Sequence, residues 1–169
     1  MDKRTYLILL LTIALLGCDK GISPSDTPEV KPGFGGTITF VSPPPPRDSL
    51  IQLRIIAVPY YPIDTVVETL IQKIVQGVIP FSDTLQLSSI DSGKTQRYEF
   101  IISPGEYKYV AVVQQYGLLL YEEWRVISIY GFSQSTPFPR PVTVAVDKFQ
   151  TGIDFIVDFK NLPPQPFKR

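Results

Sequence analysis

The chain has 169 residues, enough for one domain with short appendages, and 44% of them are hydrophobic, so a buried core is within reach. Sixteen Lys+Arg balance sixteen Asp+Glu, which leaves no basic surplus for a nucleic-acid partner. Histidine is absent and cysteine occurs once, which excludes histidine acid–base chemistry, an internal disulfide and a thiolate metal cluster.

The chain opens with Lys3-Arg4 and an apolar run from Tyr6 to Leu16, broken only by Thr12. A charged head followed by an apolar stretch too short to span a bilayer comfortably has the layout of a secretory signal peptide. The run stops at Leu15-Leu16-Gly17-Cys18, which resembles the lipobox of bacterial lipoproteins. That resemblance implies cleavage after residue 17, a diacylglyceryl group on the Cys18 sulfur, and membrane lipid as a partner through Cys18. Residues 1–17 are then the signal peptide, and the domain lies outside the cytoplasm in the bacterial cell envelope. Asp19 resembles an inner-membrane retention signal of enteric lipoproteins, but other lineages sort differently, so inner and outer membrane both stay open. A buried core cysteine and an uncleaved anchor are the two competing readings of this segment.

Residues 18–33 carry Ser, Pro, Gly and charge with no hydrophobic period, the composition of a disordered tether. Its stretch from Asp19 to Pro32 reaches about 45–50 Å when extended. A mainly β domain over 34–160 follows. Thr37–Val41 is a β-rich run ended by Pro43-Pro44-Pro45-Pro46, which cannot join a ladder and forms an extended loop. Leu50–Val58 alternates, with Ile51, Leu53, Ile55 and Ala57 on one face. Val66, Val67, Leu70, Ile71, Ile74, Val75 and Val78 recur at helical spacing. Thr65-x-x-Glu68 has capping-box form and Gly77 is placed to stop a helix, so one short helix is expected near 65–76, with a strand as the alternative. A short strand is expected near Thr84–Leu87. Thr95–Ile102 alternates cleanly, and Pro104-Gly105 is a turn signal. Glu106–Gln115 is apolar on both faces, as a strand covered on both sides would be. Trp124–Tyr130, Pro141–Asp147 and Gly152–Phe159 bring the count to about seven or eight, and residues 161–169 form a Pro-rich tail. Short strands at this spacing predict an antiparallel prealbumin- or Ig-like β-sandwich with one helix inserted.

Three segments carry a resemblance. Gly35-Gly36-Thr37-Ile38-Thr39, the Pro104-Gly105-Glu106-Tyr107 turn running into Lys108–Val112, and Gly152-Ile153-Asp154-Phe155-Ile156-Val157 are similar to carboxypeptidase regulatory-like domains. The resemblance covers about 34–159 and implies a prealbumin-like sandwich. It implies no activity.

Chemistry-bearing motifs are sparse. There is no metal-ligand spacing, nucleophile elbow or phosphate-cradling loop, so neither catalytic residues nor a cofactor is expected. Asp154 and Asp158, four apart on a strand, stand about 13 Å from each other, too far to work as a carboxylate pair. Glu122 and Glu123 point to opposite sides if extended. Tyr116, Tyr121, Trp124 and Tyr130, with Phe132 and Phe138, are the candidate ligand-binding group, because rings with polar edges suit sugars or peptides. The competing reading makes them core. Gly117-Leu118-Leu119-Leu120-Tyr121 is either a hairpin tip covered by the helix or an exposed apolar patch for a partner or membrane. The expected function is a non-catalytic, membrane-anchored interaction module with a protein or glycan partner in the envelope. A carbohydrate- or peptide-binding accessory is the alternative.

Overall fold

A computed structural model describes residues 30–166 except 92, 120 and 121. The expected signal peptide, Cys18, most of the tether and Tyr121 lie outside the described residues. The strands in chain order are β1 Gly33–Phe40, β2 Gln52–Val58, β3 Thr95–Ile101, β4 Gly105–Tyr107, β5 Tyr109–Gln115, β6 Trp124–Ile129, β7 Val142–Val144, β8 Phe149–Gln150 and β9 Phe155–Val157. Among the described residues there is one α-helix, α1, which spans Val67–Val75. The chain is mainly β, as its alternation predicts, and its sheets face each other across a shared core.

β1 is the central strand of the first sheet. It pairs antiparallel with β3, from Gly33↔Ile101 to Thr39↔Thr95. Its other edge pairs with β8 and β9, and there the strands run parallel. The sandwich is antiparallel apart from this edge, where the chain returns to β1 by a long connection instead of a hairpin. Between β8 and β9 the ladder is interrupted at Gly152, which has φ +81°. Asp154 fills the gap: its Oδ1 accepts a 2.8 Å hydrogen bond from the Thr37 N–H. Gly36 is needed for close approach, since a Cβ there would stand 2.4 Å from the Ile153 carbonyl oxygen.

The second sheet has the order β2-β5-β6 and is apolar on both faces. Leu53, Ile55, Ala57, Val110, Val112 and Ile127 face β1, where Phe34, Ile38, Phe40 and Phe155 meet them. Ile56, Val58, Tyr109, Ala111, Val113 and Val126 face away, onto Leu70 and Ile74 of α1. The expected single strand 106–115 is two strands. β4 pairs with β7 and β5 with β2, with a break at Lys108. The break puts Tyr107 in the inner core, whereas Tyr109 joins the outer one.

α1 is shorter than the 65–76 expected, and the capping box does not form. Val66, not Thr65, takes the N-cap position, and no side chain caps it. Its C-terminus behaves as predicted. Gly77 adopts φ +74°, the Gly77 N–H bonds the Ile74 carbonyl at 2.9 Å and the Val78 N–H bonds that of Lys73 at 2.9 Å, a Schellman motif. The expected strand at 84–87 is absent, and a 3-10 turn occupies Leu87–Ser89. The preceding segment lies along the β2 edge. Ser82 N–H bonds the Ile55 carbonyl, Leu85 N–H bonds that of Leu53, and Ser82 Oγ takes the Ile55 N–H. A hydroxyl standing in for a carbonyl keeps this edge covered without a regular ladder.

The two glycines separate two costs. Gly77→Ala meets open space and bears only the left-handed backbone strain, about 1–2 kcal/mol. Gly36→Ala drives a methyl into the β9 approach, so its urea midpoint should fall further than that of Gly77→Ala. Equal midpoints would contradict the packing of Ile153 on β1.

Candidate functional site

The outer face of the second sheet and the inner face of α1 enclose an apolar recess. Period 2 along β2 places Gln52, Arg54 and Ile56 on this face, β5 adds Val113 and β6 adds Trp124. The helix contributes Val67, Leu70, Ile71, Ile74 and Val75. The apolar stripe on α1 is wider than the sheet covers: Leu70 is buried, while Val75 is 79% exposed. The result is a groove of about 190 Å³ with Phe81 and Trp124 at one side. Their rings meet edge to face, with centroids 5.7 Å apart.

The polar rim is already engaged. Arg54 lays its guanidinium 4.5 Å from the Phe81 ring centre. Its Nε donates to Gln52 Oε1 at 2.7 Å and its terminal nitrogen to the Ser82 carbonyl at 2.8 Å. Gln52 in turn donates to the Gln115 side chain. Arg54 is therefore a fixed wall of the groove, packed through its planar face.

A second polar cluster pins α1 down. Lys73 Nζ lies 2.9 Å from Asp64 Oδ2 and 3.0 Å from the Tyr60 hydroxyl, which itself donates to Asp64. The hydrogen bond from Tyr60, followed by that from Lys73, holds the Asp64 carboxyl below its ordinary value of 3.8. Burial, then the bond to Asp64, raises the Tyr60 phenol. Beneath the cluster, Tyr61 stacks on Tyr109 at 6.1 Å. The Tyr109 hydroxyl is buried and has no hydrogen-bond partner among the described residues, and burial raises its pKa.

Of the described members of the expected aromatic group, Trp124 lines the groove and Tyr116 and Tyr130 do not. Tyr130 belongs to the opposite face of the sheet, packed edge to face on Phe155 at 6.1 Å with Arg140 at 5.9 Å. Tyr116 lies past the end of β5, beside Arg125 at 5.5 Å. Alternation along β6, with a bulge opposite Val112/Val113, separates Trp124 from Tyr130. Arg54 and Phe81 are not among the site residues that the sequence points to, and the α1 residues are read there only as a helix stripe. The excess apolar width of the helix was the signal for them. The hairpin tip is not covered by α1: Leu118 and Leu119 are 88% and 58% exposed. The carboxylates are dispersed. Asp154 serves Thr37, Asp158 accepts from Lys160 N–H and Asn161, and Glu123 accepts from Leu119 N–H at 2.7 Å. Among the described residues no cluster of three or more potential metal ligands occurs, and no helix is long and apolar enough to cross a membrane.

No family model, curated protein or solved structure matches this chain.

The Asp64 cluster sets a pH dependence. A depressed carboxyl contributes stability that is full above its unfolded value of 3.8 and is lost as pH falls through its lower folded value. Trp124 is the one tryptophan, so its emission reports the groove. On acidification below about pH 4 it should shift to the red as α1 loosens. Asp64→Asn should show that shift already at neutral pH.

Proposed function

We propose that this chain is a lipid-anchored lipoprotein of the bacterial cell envelope whose sandwich is a non-catalytic interaction module. The observation that carries the reading is the basic head and apolar run stopping at the one cysteine, with a polar stretch between it and β1. Lipid on Cys18 would add about 0.8 kcal/mol of membrane affinity per buried methylene, and two or more chains would hold the protein stably. The tether would then keep the sandwich clear of the headgroups. We take the sandwich as carboxypeptidase regulatory-like in kind. Supporting this, β4 begins at Gly105 of the Pro104-Gly105 turn, and β9 carries Phe155-Ile156-Val157. Metabolic labelling with a fatty-acid analogue tests the anchor. Label should appear on the protein and vanish in Cys18→Ala, and the mature N-terminal peptide should begin at an acylated Cys18. A chain that keeps residues 1–17 with a free thiol would refute it.

A second reading concerns the Trp124 groove. Its walls are apolar and its rim is spoken for, which favours an apolar peptide side chain over a sugar. Titration with short peptides bearing one Leu, Ile or Phe anchor should shift Trp124 emission to the blue. Ile71→Lys, which points a charge into the groove, should abolish the shift and leave the sheet intact. Equal responses from peptides without an anchor would dismiss this reading.

A further inference from the structure

We infer that β3 is a self-complementary edge through which two copies of this chain pair, antiparallel, about a two-fold axis at Tyr98.

The parity of the first sheet is readable from its hydrogen bonds. Phe40 N–H bonds the Lys94 carbonyl and Ile102 N–H bonds that of Pro32, both pairs lying on the β1–β3 register. Even-numbered residues of β3 therefore point their backbone groups at β1. The backbone groups of Thr95, Arg97, Glu99 and Ile101 point the other way, and among the described residues β1 is the only strand paired with β3. The β2, β6 and β9 edges differ. The segment 80–85 covers β2. On β6, the Gln165 side-chain amide accepts from the Val126 N–H and donates to the Val126 carbonyl. The Ser128 hydroxyl donates to the Ile156 carbonyl of β9 at 2.7 Å. Beside the open edge of β3 lies a recess of about 460 Å³, walled by Thr95–Glu99 on one side and Ser82–Gln86 on the other.

Charge selects the occupant. Arg97 and Glu99 are both exposed, opposite in sign and two residues apart, with Tyr98 between them. Among the described residues neither forms an ion pair. Open edges are commonly protected by charge that repels a second copy. Here a two-fold axis at Tyr98 sets Arg97 of each copy opposite Glu99 of the other, and Thr95 opposite the half-exposed Ile101. All of these are outward-pointing residues, so each facing pair can exchange two backbone hydrogen bonds. A shift of register that preserves this parity places Arg97 opposite Arg97 or Glu99 opposite Glu99, which like-charge repulsion disfavours. The contact is isologous and closes on itself, so it makes a dimer and not a fibre.

The test is sedimentation velocity of the full chain in detergent, with charge variants. The wild type should form a concentration-dependent dimer. Arg97→Glu and Glu99→Arg should each weaken it by about ten-fold or more. The double exchange Arg97→Glu/Glu99→Arg should restore it, which separates pairing from any folding defect. Co-expressed Arg97→Cys and Glu99→Cys chains should yield an oxidised peptide linking residues 97 and 99. The single variants alone should not cross-link there, because their diagonal separation exceeds disulfide reach. A wild type that stays monomeric at every accessible concentration would overturn the inference, as would a dimer indifferent to both reversals.

Discussion

The architecture depends on how β1 divides its backbone. Its even residues bond β3 and its odd residues turn to β8 and β9: Gly33 N–H reaches the Lys148 carbonyl, Ile153 N–H reaches that of Gly35, and Thr37 N–H reaches Asp154. Both sides of one strand are thereby satisfied inside the molecule, as buried backbone must be. The same strand sends Phe34, Ile38 and Phe40 into the core, where Phe34 meets Phe100 and Tyr98 edge to face. The parallel edge needs Gly36, because a side chain there would hold β9 away.

From that constraint the rest follows in layers. The second sheet covers the core with one face and has an equally apolar second face. That surface would be an aggregation hazard if left open. α1 lies over it, held by its own leucine and isoleucine and by the Lys73–Asp64–Tyr60 cluster. A nine-residue helix does not cover a three-stranded sheet completely, and the groove beside Trp124 is the uncovered part.

Side chains complete the edges where strands end. Gln165 on β6, Ser82 on β2 and Asp154 on β1 each take the place of a backbone partner. Such substitutes give a small sandwich satisfied edges without further strands. Among the described residues no side chain takes that place on the outer edge of β3, and its opposite charges make that exposure specific instead of indiscriminate.

Most strands were legible in the sequence, because alternation is a local property that burial of one face imposes. Thr95–Ile102 and Gly152–Phe159 alternate and lie close to their strands, and Gly77 marked the helix end because only a residue tolerant of positive φ fits there. The break at Lys108 was not legible, since Tyr107 and Tyr109 have the same parity and only their different partners assign them to different cores. The parallel pairing of β1 with β9 was hidden for the same reason: strand partners are separated by more than a hundred residues. The candidate site divides likewise. Trp124 could be named from its type, but its separation from Tyr130, and the arrival of Phe81 and Arg54 beside it, depend on contacts between distant segments. Sequence alone determined the β class and the helix. Tertiary structure decided which apolar face meets which, and which edge stays open, because those outcomes depend on distances between segments that no local pattern encodes.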